Sequence, residues 1–276
     1  MKIVVVGGGW LGSPLSLYLM KAGHQVLVTK TTSAGSENLH NLGLDSCVLD
    51  LNRTQDKDSQ NTIKRFQPDM IIGCFPPGLR SVQPSRYVEN WQAMVDLCQS
   101  SFAKKVIMIS TTGVYPSEDE EMHENLNLEH QILDAKAQLL RKAELEVANS
   151  GIDYTILRCS GLIGPQRHPA RFAQLLKSIS DRAAANMVHL DDVIGAIDFI
   201  VSHFDDELET CGIFNVTTPN TVSKYAFYER AIACLDEPIS LPPPTHNGNK
   251  KIIADKLIAL GYDYKYPHIF NALDSL

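Results

Sequence analysis

Residues 1–12 read MKIVVVGGGWLG, and the fold is decided there. Lys2 to Val6 is a short apolar run rich in β-branched residues, as expected of a buried strand in a parallel sheet. Glycines follow where such a strand would end. Gly7, Gly9 and Gly12 match G-x-G-x-x-G, and Gly8 keeps the turn small. In this pattern the first glycine makes the tight turn, and the second leaves the backbone bare for a pyrophosphate. The third lets the next helix pack on the strand. A helix is predicted from about Ser13 to Ala22, with Pro14 in its first turn. Its N-terminal N–H groups and dipole would face phosphates. The stretch therefore predicts dinucleotide binding.

Outward from this turn, strands and helices alternate. His24–Thr29 reads as the second strand. At its end an NAD site places an acidic residue on the ribose hydroxyls, but this chain has Lys30, Thr31 and Thr32. A cation and hydroxyls suit a 2′-phosphate, which favours NADP over NAD. Ser36–Leu42 is a predicted helix and Asp45–Leu51 the third strand, with Asp50 set to meet the adenine amino group or to make a turn. Residues 52–66 are polar and end in a weak helix. Asp69–Cys74 is the fourth strand, running into Phe75-Pro76-Pro77-Gly78 at a carboxyl end, where ligands of open α/β sheets lie. Ser85–Ser101 is an amphipathic helix whose stripe of Tyr87, Trp91, Met94, Val95 and Cys98 marks a core face. Lys105–Ile109 is the fifth strand, Ser117–Glu124 an exposed acidic loop, Leu128–Ser150 a long helix and Tyr154–Arg158 the sixth strand.

Beyond this the pattern is more mixed. Gly161–Phe172 reads as a Gly/Pro loop with basic residues, and Ala173–Ile179 as a short helix. A helix follows Asn186–Asp192 and runs to about Phe204. Then come a strand at Gly212–Val216, a helix at Lys224–Cys234, a proline linker at Leu241–Pro244, a short strand at Asn249–Ile253 and a last helix at Ala254–Leu260. The expected fold is α/β: a Rossmann-type doubly wound parallel sheet with helices on both faces. The expected division is a nucleotide-binding domain over 1–160 and a mixed region over 161–276. That second region partly returns to the sheet and partly forms a small substrate lobe.

Composition narrows the class. Of 276 residues, 44% are hydrophobic and 21% charged, ordinary for a globular protein, and the net charge of −7 argues against a nucleic-acid partner. Six scattered cysteines form no C-x-x-C pair, so neither disulfides nor a metal site is expected. The opening strand is unlike a signal peptide. No apolar run reaches the roughly 18 residues of a membrane span, so a cytoplasmic protein with no membrane partner is expected.

Several features now line up in order. They are the glycine turn, Asp50, the run Ser110-Thr111-Thr112-Gly113-Val114-Tyr115, Leu157-Arg158 with Gly164-Pro165, His189-Leu190-Asp191-Asp192, and Phe214-Asn215-Val216. Together they resemble the extended short-chain dehydrogenase/reductase superfamily, in its NAD-dependent epimerase/dehydratase group. Gly9-Trp10-Leu11-Gly12, Lys30-Thr31-Thr32, residues 164–172 and Lys250-Lys251-Ile252-Ile253 resemble its atypical YeeZ-like subgroup. The resemblance implies an oxidoreductase, epimerase or dehydratase. Gly7, Gly9, Trp10, Leu11 and Gly12 would form the cofactor turn, and Cys74, Phe75 and Pro76 would lie along the cofactor. Thr111 would be the catalytic hydroxyl. The long helices Ser85–Ser101 and Leu128–Ser150 would pair two copies as a homodimer.

The family also carries Tyr-x-x-x-Lys on the helix after that hydroxyl, one turn apart on one face, and the lysine there tunes the phenol as acid or base. Counting back from Arg158 with Glu144 as the helix glutamate puts the two positions on Lys136 and Leu140. The other register gives Ile132 and Lys136. No tyrosine lies between Tyr115 and Tyr154. Substitutes for the phenol are Tyr115, whose family role is structural, and Lys136 as a lone base or phosphate contact. Arg167, His168 and Arg171 form a basic cluster for an anionic substrate or the cofactor phosphates, with a self-packed loop as the alternative. His189 and Asp192 would be a structural pair in which the aspartate caps a helix. The alternative function is a non-catalytic NADP(H)-binding redox sensor or regulator, similar to the NmrA-like proteins.

Overall fold

In a computed structural model of the chain, residues 1–52, 57–78, 85–129, 132–206, 208–235 and 239–276 are described. The first strand, β1 (Lys2–Val6), sits inside a seven-stranded sheet. Its neighbours are β2 (Gln25–Lys30) on one side and β4 (Met70–Gly73) on the other, with β3 (Asp45–Val48) beyond β2 and β5 (Lys105–Thr111) beyond β4. These four pairings are parallel, in registers such as Val4↔Leu27 and Val4↔Ile71. Strands Asp153–Cys159 and Gly212–Val216 complete the sheet beyond β5. The order reverses at β1/β4, the switch point at which ligands of doubly wound sheets bind. Ile3, Val4 and Val5 are wholly buried, as a strand covered on both faces requires. The doubly wound architecture expected from the sequence is what the chain forms.

Two compact units make up the chain. One contains Met1–Ser110, Asp134–Leu157 and Glu209–Ile213, and the other Thr111–Leu133, Arg158–Leu208 and Phe214–Leu276. In the first, helices α1 (Gly12–Lys21), α2 (Ser33–Asn41), α3 (Lys57–Phe66), α4 (Arg86–Ser101) and α5 (Ala135–Ala148) surround the strands. The apolar stripe of α4 is core as expected: Trp91, Met94 and Cys98 are fully buried. Trp91 lies against Gly73, where any Cβ would strike its ring. Residues 53–56, part of the polar stretch before α3, and Pro84 ahead of α4 lie outside the described residues.

Several boundaries differ from expectation, each for a local reason. Helix α2 starts three residues early because the Thr32 hydroxyl accepts the Gly35 N–H at 3.1 Å and caps it. Helix α5 starts at Ala135 rather than Leu128 because Asp134 caps it, accepting from Ala137 N–H at 2.7 Å. β5 runs on through Ser110 and Thr111. In the second unit the acidic stretch after Ser117 contains a strand, Glu121–Met122, paired with Lys251–Ile252. The loop expected over Gly161–Phe172 contains a strand, Gly161–Ile163, parallel to Met187–His189. The helix expected over Ala173–Ile179 is shifted to Ala170–Ala173, and Ile179–Ser180 pairs instead with Pro244–Thr245. A helix at Ile269–Asp274, capped by His268, follows the one expected to be last.

Candidate functional site: a glycine-floored cleft

The first unit holds a cleft of about 240 Å³ at the carboxyl ends of β1, β2, β3 and β4. Its lining includes Gly7, Gly8 and Gly9, Thr29 to Thr31, Leu49 to Asn52, Cys74 to Pro76, and Asn90 from α4. The floor is a tightly tied turn. Gly7 N–H donates to the Thr29 hydroxyl at 3.3 Å and Gly8 N–H to the Thr29 carbonyl at 2.9 Å, so β2 fixes the turn. Gly7 has φ +102°, the left-handed region, and a Cβ there would sit 3.2 Å from the backbone of Cys74 and Phe75. A Cβ on Gly12 would run into the Gly7 carbonyl, so only glycine lets α1 start this close.

Gly9 differs from both: a Cβ there would meet nothing within 4 Å, so its backbone faces open space. Helix α1 begins beside it with Leu11 as its N-cap, no side-chain cap and no acid in its first turn. A helix N-terminus with no side-chain cap, set beside a bare backbone, suits a phosphate. These residues fit a dinucleotide pyrophosphate.

Of the residues expected at the cofactor, Gly7, Gly9, Lys30, Thr31, Asp50, Cys74, Phe75 and Pro76 are brought together in this cleft. Trp10, Leu11 and Gly12 are not in its lining; Leu11 and Gly12 are buried behind the turn. Lys30 is half-buried and Thr31 exposed, and no carboxylate stands at the end of β2. Asp50 lines the cleft and also makes a turn, its Oδ1 accepting from the Asn52 backbone N–H at 3.0 Å and from its side-chain amide at 2.9 Å. Phe75 is held by Trp91, ring centroids 4.6 Å apart, and by the edge of Tyr87. Sequence reasoning missed Asn90, three residues after Tyr87 and one before Trp91. An amide flanking the α4 stripe carries no sequence signal that sets it apart from other polar helix positions.

The other expected residues are placed as follows. Along β5, Ser110 is buried and its hydroxyl donates to Glu144 Oε1 at 2.7 Å. Glu144 is itself buried, with the Arg141 guanidinium 3.6 Å from its other oxygen. Thr111, the next residue, opens a 3₁₀ turn, and its Oγ1 accepts the Gly113 N–H at 3.1 Å. Lys136 is exposed in the first turn of α5, while Leu140 is buried. Ile132 precedes the helix, so of the two registers only Lys136 with Leu140 keeps both positions helical.

In the second unit Tyr115 is buried. Its phenol donates to Asn215 Oδ1 at 2.8 Å and accepts from Arg158 at 2.9 Å. Burial raises its pKa and the Arg158 guanidinium partly opposes the rise. Arg167 and Arg171 are exposed, but His168 is buried with its Nδ1 accepting the Ala170 N–H at 3.3 Å.

The helix-start pair differs from expectation. His189, not Asp192, caps helix Leu190–Ser202, its Nδ1 accepting from Asp191 N–H at 3.1 Å. Asp192 Oδ1 instead accepts the backbone N–H groups of Lys265 at 2.6 Å and Tyr266 at 3.3 Å. Burial pushes the Asp192 carboxyl up to about 6 against those two bonds. Burial likewise pushes the Cys159 thiol up to about 12, leaving it a poor nucleophile. Among the described residues no cluster of metal-ligating side chains occurs, and no helix is long and apolar enough to cross a membrane.

With the cleft and its turn in view, the chain can be placed. Residues 3–216 match the NAD dependent epimerase/dehydratase family, and the chain belongs to it. The chain is similar to protein YeeZ of Escherichia coli K12, 30% identical over 270 residues that cover 96% of each. The UDP-Glc/GlcNAc 4-epimerase of Campylobacter jejuni shares the fold at a TM-score of 0.79 and 18% identity, over 99% of this chain and 97% of that one. The Bordetella bronchiseptica enzyme WbmH, solved in complex with NAD+, does so at 0.78 and 15%, over 99% and 96%.

Proposed function

We propose that this protein is a cytoplasmic oxidoreductase of the epimerase/dehydratase type that takes NADP in preference to NAD. The reading rests on one observation: a bare Gly9 beside a helix N-terminus without a side-chain cap shares the cleft with Lys30 and Thr31 at the end of β2, a strand end that carries no carboxylate of its own. Gly7, Gly9 and the first turn of α1, with Trp10, Leu11 and Gly12 behind them, hold the pyrophosphate. Lys30 and Thr31 meet the 2′-phosphate, Asp50 accepts from the adenine amino group, and Cys74, Phe75 and Pro76 lie along the cofactor. When bound, the nicotinamide supplies hydride exchange at its C4. Thr111 orients a substrate carbonyl or alcohol, and Arg167, His168 and Arg171 belong to the substrate lid. WbmH, of the same fold, was solved in complex with NAD+; the preference for NADP proposed here rests on Lys30 and Thr31 alone.

A second reading is favoured by one specific feature. Where the family's acid/base pair would stand, this chain has exposed Lys136 and buried Leu140. Without a phenol there, a dinucleotide-binding regulator resembling the NmrA-like proteins is the alternative, and Tyr115 or Lys136 must serve as the acid if turnover occurs. A second copy pairing through α4 and α5 is the expected assembly, which sedimentation would test.

Fluorescence titration with NADPH and NADH separates the cofactors. NADPH is expected to bind tighter, and Lys30→Ala to weaken it about tenfold, roughly 1.4 kcal/mol, with NADH unchanged. Equal affinities, or an unaffected variant, remove the NADP preference. Mixing the NADPH complex with sugar nucleotides, ketones and aldehydes then decides between the readings: tight cofactor binding with no oxidation across the panel favours the regulator.

A further inference from the structure

A buried lysine stands at the start of β5, at the other end of that strand from Thr111. Lys105 is 3% exposed, although a lysine is seldom this deeply buried without an ion-pair partner. Its ammonium donates to the Thr210 hydroxyl at 2.7 Å, across 105 residues of chain. Thr210 is buried too, and its carbonyl accepts from the Thr155 hydroxyl at 2.5 Å, which fixes the bridge. Among the described residues no carboxylate lies within ion-pairing distance of the lysine, and Asp153 acts on it only from farther away. The ionisable side chain within hydrogen-bonding reach is Cys211, the residue after Thr210. All of these residues belong to the first unit.

Cys211 differs from the cysteines that burial silences. Cys98 and Cys159 are buried, with thiols pushed up to about 12, and Cys234 has its sulfur 3.7 Å from the Asp274 carboxylate. Cys211 is half-buried, so its sulfur combines an opening to solvent with an ammonium beside it. A neighbouring lysine favours the thiolate, the form that reacts with oxidants. Lys105 is suited to a second step. Burial lowers its pKa, with Cys211 and Asp153 opposing, and this favours an amine with a free electron pair. Two nucleophiles from distant parts of the chain thus meet at one place.

We propose that Lys105 and Cys211 are a peroxide-responsive pair, which a hydroperoxide converts into a reversible S–N crosslink between β5 and the segment entering the strand Gly212–Val216. The Cys211 thiolate attacks the distal peroxide oxygen, an S–O bond forms as the O–O bond breaks, and the peroxide leaves as an alcohol or water. Sulfur is oxidised to the sulfenic acid and the peroxide is reduced. The Lys105 amine then attacks that sulfur, an S–N bond forms, the S–O bond breaks, and hydroxide leaves with the amine proton as water.

The test treats the full-length protein with hydrogen peroxide, quenches with catalase, and reads intact mass and peptide maps. The wild type is expected to lose about 2 Da, two hydrogens, with no oxygen retained. Its map should hold one crosslinked peptide pair containing Lys105 and Cys211, and dithiothreitol should restore the starting mass. Cys211→Ala is expected to abolish the crosslink and Cys234→Ser to keep it. Lys105→Met is expected to slow Cys211 oxidation about tenfold and to leave a sulfenic acid that dimedone labels. Where circular dichroism shows that Lys105→Met does not fold, the wild-type map and Cys211→Ala decide. An unmodified Cys211, oxygen stably retained on it, or a disulfide from it to another cysteine each overturns the proposal. So does a two-hydrogen loss that survives in Cys211→Ala.

Discussion

Asp192 holds two backbone N–H groups of the 265–266 segment with one oxygen, while burial keeps its carboxyl near neutrality. The folded state binds this proton more tightly than the unfolded chain, whose value is close to 3.8. The group therefore favours folding most at low pH, and that contribution is lost as pH rises from about 4 through about 6. Its size is on the order of 2–3 kcal/mol. Asn at this position keeps the accepting oxygen and removes the charge. The stability of the wild type relative to Asp192→Asn is thus expected to fall between pH 4 and pH 7 in denaturant titrations. A constant difference across that range would refute the assignment. At the same scale, much of the candidate cleft's lining was legible. Gly7, Gly9, Lys30, Asp50 and Phe75 sit at strand ends, and strand ends are set by local apolar runs. The capping role of His189 was not legible, because an imidazole caps only when a particular rotamer and tautomer are imposed by its surroundings. Asn90 was hidden for another reason: an amide on the flank of an apolar stripe looks like any other solvated helix position.

At the scale of elements, α4 carries both core and cleft. Trp91 fills the space that Gly73 leaves open on β4 and supports Phe75 at the cleft wall. Trp91→Ala removes a wholly buried indole and is expected to destabilise by about 3–5 kcal/mol. Because Phe75 loses its support, NADPH affinity is expected to drop in the folded fraction as well; unchanged affinity at 10 °C would detach Phe75 from cofactor binding. Strands and long helices were readable because each repeats a period over many residues. The two-residue strands were not. Glu121–Met122 meets Lys251–Ile252, and Ile179–Ser180 meets Pro244–Thr245. Neither member of a pair shows any periodicity, and their sequence separation means that only tertiary packing selects them. The shift of α5 shows the opposite balance: charged, helix-favouring residues extended the expected helix, and the single cap at Asp134 cut it short.

For the whole molecule, family membership fixes a dinucleotide fold, while the sequence expectation for the family's acid/base pair falls on Lys136 and Leu140, neither of them a tyrosine. The strand Gly212–Val216 has a further consequence. It lies beyond Asp153–Cys159 at the end of the sheet, and the last part of the first unit, Glu209–Ile213, arrives about a hundred residues after β5. On a ribosome adding roughly 5–20 residues per second, the growing sheet waits several seconds or more for its final member. Until then its newest strand is an open edge able to pair with a neighbouring nascent chain. Translation-arrested chains are expected to leave β1–β5 open to protease at arrest points before residue 208 and to protect them once residue 216 has emerged. Synthesis speed over residues 160–212 then becomes a determinant of yield, with slow codons there lengthening the time that the edge stays open.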